Sequence, residues 1–359
     1  MKNVLIVCIY PKDKVPGQRF RFEQYLEYLS QNGFNITFSN LLSEKDYSFY
    51  YKKGNYIRKA LLLFKSIIKR YKDVRSASKY DLIFIFREGF LLGSSYFERQ
   101  LAKRSKVIFD YDDAIWITSV LSENRWLWFL KNPNKTKKII EVSQMVFAGN
   151  RYLAEYAEKY NDKVVIVPTT IDTKEYTPAY NHKNEKICIG WSGSFSTIVH
   201  FTTCLDALKV IKKKYGDKVY FKVIGSADYQ HAELNIQGLP WTKETEIKDL
   251  QEIDIGIMPL PDDEWTKGKC GLKGLQYMAL AIPTIMSPIG VNTEIIQDGE
   301  NGFLAAGSDE WVRKLSLLID SEKLRETIGQ NGRKTVLSKF SIEANKHLYL
   351  QYFNQVILQ

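Results

Sequence analysis

Residues 267–304 read KGKCGLKGLQYMALAIPTIMSPIGVNTEIIQDGENGFL. The stretch opens as a loop in which Gly268, Gly271 and Gly274 stand among Lys267, Lys269 and Lys273. It runs into a helical pattern, LKGLQYMALA, and then into a short buried-strand pattern, PTIMS. A glycine-rich loop entering a helix leaves backbone N–H groups without intrahelical partners. With lysines beside them, such groups suit a diphosphate. Loop, helix and strand in this order form one repeat of an α/β sheet.

The same alternation continues on either side. Apolar, β-branched runs occur at 4–10, 35–42, 81–88, 106–113, 144–150 and 163–170. They are mostly continuous rather than alternating, as parallel strands buried on both faces are. A polar, aperiodic stretch at 173–186 with Pro178 then reads as a linker. Strand patterns resume at 186–194, 219–227, 235–240, 254–260, 283–288 and 302–306, and the chain ends in helical patterns at 308–320, 322–338 and 342–356. A length of 359 residues exceeds what one core usually serves. Two successive α/β domains are therefore expected, with ligand at strand carboxyl ends and a cleft between the domains.

Composition excludes several classes. With 45% hydrophobic and 26% charged residues the chain is globular, not disordered. Cys8, Cys188, Cys204 and Cys270 are scattered without C-x-x-C spacing, so they read as reduced and structural, and the location as cytoplasmic. The opening MKNVLIVCIY reads as a strand rather than a targeting signal, and no run approaches the roughly 18 apolar residues of a membrane span. The histidines His182, His200, His231 and His347 show no ligand spacing, and no nucleic-acid-binding module is visible. The aromatics Trp126, Trp128 and Phe129 suit an acceptor groove, a membrane interface or plain packing.

The net charge of +10 is concentrated at residues 52–79, where ten bases accompany only Asp73. Within that segment Ile57, Leu61, Phe64 and Ile68 recur at helical spacing. Two readings stand: a basic amphipathic helix docking peripherally on an anionic membrane, or a surface helix that packs its apolar stripe on its own domain.

The segment quoted first, with Pro259, Ser287, Gly290, Glu294 and the turn from Asp298 to Gly302, resembles the donor-binding region of glycosyltransferase family four (glycosyl transferases group 1). The first domain resembles it only in its strand–helix order and in Gly17. The resemblance implies the GT-B fold: two Rossmann-like α/β/α domains facing across a cleft. The expected division is an acceptor domain at 1–172, a linker at 173–186, a nucleotide-sugar donor domain at 187–340 and a last helix at 341–359 crossing back onto the first domain. It further implies retaining transfer from a nucleotide sugar to a glycan or lipid-linked acceptor, with no metal or other cofactor and no nucleic acid. The setting it implies is polysaccharide assembly at the inner face of a membrane. A sugar-nucleotide epimerase and a non-catalytic subunit are the alternatives.

Candidate donor-binding residues are Gly193, Ser194, Lys269, Cys270, Gly271, Leu272, Lys273 and Gln276. Gln276 is the position of the family's second glutamate, which holds the donor ribose. The first glutamate's position is Gly268, and Lys269 and Lys273 are read as the substitute bases. Ser194 or Ser196 is a candidate helix cap. Gly17 and Arg19, after the first strand, form a candidate loop for donor phosphate or acceptor. Asp112 and Asp113 end the fourth strand run, where many family members carry a histidine, and are the candidate catalytic pair. They bind acceptor hydroxyls or supply a base if a pKa is raised; the bland reading is a structural pairing with Arg87.

Overall fold

The computed structural model describes residues 1–50, 52, 54–117, 132–179 and 185–359. Trp126, Trp128, Phe129, His182, Lys53 and part of the polar stretch 173–186 lie outside the described residues. The chain divides into two compact units, Met1–Thr169 with Asn345–Gln359, and Thr170–Ala344.

The first unit holds a six-stranded sheet of β1 (Lys2–Cys8), β2 (Phe34–Asn40), β3 (Leu82–Phe86), β4 (Val107–Tyr111), β5 (Met145–Ala148) and β6 (Val164–Ile166). Their order is β2-β1-β3-β4-β5-β6, and every pairing is parallel. The runs Val4–Cys8, Leu82–Phe86 and Val107–Tyr111 are buried throughout, which is why they read as continuous apolar segments. Asn345–Gln359, within the helix Ile342–Leu358, belongs to this unit. Its Tyr349 stacks on Tyr25 and its Phe353 packs against Phe84 and Phe147.

Three buried cations tie the loops at the carboxyl edge of this sheet. Arg21 pairs with Asp110 and donates to the Val167 carbonyl, and both charged side chains are shielded from solvent. Tyr349 Oη donates to the Arg21 carbonyl at 2.7 Å. Arg70, in the helix Tyr56–Ser76, reaches Asp73 at 2.6 Å, Ser39 Oγ at 3.0 Å, the Cys8 carbonyl at 2.7 Å and the Gly89 carbonyl. Lys135 donates to the carbonyls of Phe90 and Leu92. Arg70, one of the ten bases of the segment 52–79, is therefore no surface base.

The helix Tyr56–Ser76 also shows which of its faces turns inward. It buries Leu62, Ser66, Arg70, Asp73 and Val74, while Ile57 (80% exposed), Leu61, Phe64 (62% exposed) and Ile68 face outward. The expectation that the stripe packs on its own domain is overturned. The network around Arg70 holds the polar face inward and leaves the apolar face uncovered.

The second unit holds a five-stranded parallel sheet of β7 (Ile187–Ser192), β8 (Val219–Ile224), β11 (Ile255–Met258), β12 (Thr284–Met286) and β13 (Phe303–Leu304), ordered β13-β12-β11-β7-β8. The segment 235–240 does not join as a full strand. Its Ile236–Gln237 (β10) pairs antiparallel with Gln230–His231 (β9), and Leu239 makes a single bridge to Ile224. Asn235, at φ +51°, turns the chain there. The core packs Ile189, Trp191, Ile257 and Ile285 of the sheet against Leu208 and Leu315 of flanking helices.

Asp110→Ala leaves Arg21 buried without its counter-charge. The expected loss is about 3–5 kcal/mol in the urea unfolding of the first unit. A loss below about 1 kcal/mol, the level of an exposed pair, would show that the pair does not hold the unit together.

Candidate functional sites in the two units

In the second unit the loop before the helix Leu272–Ala279 forms around Gly271, the helix N-cap. Gly271 has φ +71°, and a Cβ there would stand 2.4 Å from Ile295 Cδ1, so only glycine fits. Gly271, as N-cap, has no side chain to cap this helix, whose first turn lies at the positive end of the helix dipole. Lys273, in the first turn, holds its Nζ 4.9 Å from the centroid of the Trp191 ring, and Lys269 holds its Nζ 4.9 Å from that of Trp265. Both lysines are half-buried, Leu272 is half-buried between them, and Cys270 is buried with Sγ 3.8 Å from the Gly268 carbonyl.

Among the described residues, three buried polar atoms without a hydrogen-bond partner lie around this loop: Trp191 Nε1, His200 Nδ1 and Asn292 Oδ1. Trp191 lies beneath Lys273, and Asn292 Oδ1 would be 3.8 Å from a Cβ on Gly271. The His200 imidazole is pushed down to about 4 by burial and then by the charges of Lys273 and Lys269, against a weaker pull from Asp263. Each unpaired buried atom costs about 1–3 kcal/mol, and such costs concentrate where a structure serves something other than its own stability. Sequence reading passed over His200 and Asn292, because a lone histidine and a lone asparagine carry no spacing signal.

After β7, Gly193 N donates to the Ile224 carbonyl at 2.9 Å and Ser194 N to Thr197 Oγ1 at 3.0 Å. Neither Ser194 nor Ser196 caps the helix that follows. Its N-cap is Thr197, without a side-chain cap bond, and the two serine hydroxyls meet each other at 3.0 Å. Gln276, one turn beyond Lys273, is buried. Its amide donates to Tyr176 Oη at 3.0 Å and to Glu246 Oε1 at 3.1 Å, while Glu246 also accepts from Tyr176 Oη and Trp241 Nε1.

In the first unit the candidates meet at the carboxyl ends of β3 and β4. Arg87 follows β3 and donates from Nε to Asp112 Oδ1 at 2.6 Å, with Nη2 3.5 Å from Asp113 Oδ2. Burial works against the Arg87 charge, but Asp112 and Asp113 outweigh it and raise the guanidinium above its ordinary range. Arg87 adopts φ +54°, an uncommon conformation for a residue with a side chain, and its N–H donates to the Asp110 carbonyl at 2.7 Å. Gly17 lies over this cluster: a Cβ there would be 3.1 Å from Arg87 Nη2 and 3.2 Å from Asp112 Oδ2. Arg19 is buried, with its guanidinium against the Phe20 ring. Among the described residues, no group of three His, Cys, Asp or Glu side chains is placed to hold a metal ion.

Residues 172–335 match the family described as Glycosyl transferases group 1. The capsular polysaccharide biosynthesis glycosyltransferase CapM of Staphylococcus aureus is 26% identical over 168 residues, covering 44% of this chain and 43% of that protein. This chain spans 23–59% of the length of the curated relatives it matches. Among solved structures, the sucrose-phosphate synthase of Thermosynechococcus elongatus aligns with TM-score 0.73 at 14% identity over 100% of both chains. HepE of Anabaena, in complex with UDP and glucose, aligns with TM-score 0.66 at 12% identity over 99% of both. These likenesses show the fold, which is GT-B, with two Rossmann-like α/β units.

Proposed function

From residues 172–335, which match the family described as Glycosyl transferases group 1, we infer a glycosyltransferase that moves a sugar from a nucleotide-sugar donor to an acceptor hydroxyl during polysaccharide or glycan assembly. The observation that carries this reading is the loop around Gly271. There an uncapped helix start, two lysines and three unpartnered buried polar atoms gather in one place. Such a place favours a diphosphate by its backbone N–H groups and positive charge, and stabilises the charge that grows as the sugar leaves. Transfer proceeds with retention and without a metal. Asp112 and Asp113, in the first unit, receive the acceptor hydroxyl. A second reading, a nucleotide-binding subunit without turnover, is favoured by Gly268 and by Gln276, whose amide is engaged by Tyr176 and Glu246.

The exposed face of the helix Tyr56–Ser76 supports peripheral attachment to an anionic bilayer. Its uncovered Ile57, Leu61, Phe64 and Ile68 are accompanied by Arg58, Lys65 and Lys72, all exposed. No helix among the described residues is long and apolar enough to cross a membrane.

Thermal shift against UDP, GDP, ADP and their sugars identifies the donor. Lys269→Ala and Lys273→Ala are each expected to weaken binding of the matching nucleoside diphosphate by about 10–150-fold, the worth of a charge-assisted hydrogen bond. Unchanged binding in both variants would overturn the site.

Asp112→Asn or Asp113→Asn is expected to lower turnover at least about tenfold while leaving diphosphate affinity alone, and a chelator is expected to leave transfer intact. Diphosphate binding without product from any sugar donor would favour the second reading.

Attachment is read by co-sedimentation with vesicles. Recovery is expected with phosphatidylserine-containing vesicles and not with neutral ones. Replacing Lys65, Lys69 and Lys72 with Gln should reduce it, each base near the surface being worth about 1 kcal/mol. Equal recovery on both vesicle types would remove the anionic bilayer as partner.

A further inference from the structure

We propose that the cavity between the helices Glu44–Tyr50 and Tyr56–Ser76 receives the multiply charged phosphate head of a membrane lipid. The proposal rests on peripheral attachment to an anionic bilayer and adds that a class of head group, not surface charge alone, directs it. The cavity has a volume of about 550 Å³, within the range of small-ligand pockets. Lys45 lines it from the first helix, Lys52 from the link, and Arg58, Leu61 and Lys65 from the second helix. Gly54 (φ +77°) and Asn55 (φ +56°) turn the chain through two successive left-handed residues, which sets the two helices beside one another.

The charge inside is one-sided. Among the described residues that line the cavity, Lys45, Lys52, Arg58 and Lys65 meet one carboxylate, Asp46, so three positive charges are in excess. The four cations enter no ion pair among the described residues. Asp46 already accepts from Ser43, at 3.1 Å from its N–H and 2.6 Å from its Oγ. Glu44, beside Lys45 in the chain, pairs instead with Lys14 at 3.5 Å. Lys59 brings no counter-charge and donates to the Lys52 carbonyl at 2.6 Å. A phosphodiester head carries one negative charge, and a phosphomonoester about −1.5 to −2 at pH 7. The phosphomonoester offsets more of the excess, and its terminal oxygens accept from lysines and the arginine fork at once.

The occupant is a lipid and not a free anion because the cavity adjoins an uncovered apolar surface. Arg58, Leu61, Leu62 and Lys65 recur at i, i+3, i+4 and i+7 and share one face of the helix. Leu61 is 56% exposed and belongs both to this face and to the stripe of Ile57, Phe64 and Ile68. A lipid with its phosphate in the cavity lays its chains against that stripe, whereas a free anion leaves the stripe in water.

Co-sedimentation of the full chain compares vesicles of phosphatidylcholine alone, with phosphatidylserine, and with phosphatidic acid. The two anionic types are matched in surface potential by electrophoretic mobility. Phosphatidic acid is expected to hold the protein at least about tenfold more tightly than phosphatidylserine. Lys45→Gln with Arg58→Gln is expected to abolish that preference, and a preference that survives overturns the cavity. Lys69→Gln with Lys72→Gln, outside the cavity, is expected to lower recovery on both anionic types alike. Equal recovery of the parent on the matched vesicles overturns the proposal and leaves charge-driven attachment standing. Recovery on none of them removes both. Glycerol 3-phosphate, a head without chains, is expected to leave the bound protein in place at the concentration of exposed phosphatidic acid. Release by it would show a site for a soluble phosphate and overturn the lipid. If a double variant fails to fold, judged by its melting curve, the parent's preference between the two anionic vesicles still decides.

Discussion

All strand pairings in the two large sheets are parallel, and this constraint governs where ligands can be held. A parallel strand must be followed by a crossover, so the strand carboxyl ends of a sheet open on one edge. Where successive crossovers leave in opposite directions, the loops part and a crevice forms. In the first unit this happens between β1 and β3; Arg87 lies in the loop after β3, while Gly17 and Arg19, expected in a loop, lie in the short helix Pro16–Arg21 after β1. In the second it happens between β7 and β11, whose following loops carry Gly193 and Pro259. The candidate residues of each unit gather at such an edge because the topology leaves them no other open place.

An open edge made of loops needs fastening, and the first unit fastens it with buried charge. Between them, Arg21, Arg70 and Lys135 donate to main-chain carbonyls at several strand ends and loops. Burying a cation costs several kcal/mol, offset only when its donors and counter-charge are all placed. The same expense gives geometric definition. Arg70 joins the helix Tyr56–Ser76 to the ends of β1 and β2 and to the Gly89 loop after β3. The helix is fixed polar face inward, and its apolar stripe is left exposed.

That helix shows what periodicity leaves undecided. The stripe Ile57, Leu61, Phe64 and Ile68 gave the helix and its faces, but not which face turns inward, because Arg70, Asp73 and Ser39 meet only in space. The strands were legible to within a few residues because parallel strands buried on both faces are continuously apolar. The run 235–240 was misread because a two-strand hairpin with a left-handed Asn235 has the same local composition. In the site, the lysines and Gly271 were legible from one loop. His200, Asn292 and the Gly17–Arg87 approach were not, since each depends on a contact between distant segments.

The absent glutamate at position 276 has a local explanation. The Gln276 amide lies 3.1 Å from Glu246 Oε1, in a buried setting where Glu246 already accepts from Trp241 and Tyr176. A glutamate at 276 would bring a second carboxylate to hydrogen-bond distance of the first. Out of solvent, two such groups cannot both stay ionised, and one would take up a proton. An amide donates to Glu246 without that cost. The carboxylate of this cluster stands on the helix Glu246–Gln251, with Gln276 of the helix Leu272–Ala279 as its hydrogen-bond donor. Gln276 and Glu246 are one feature of the packing, and changing either residue alone disturbs the other.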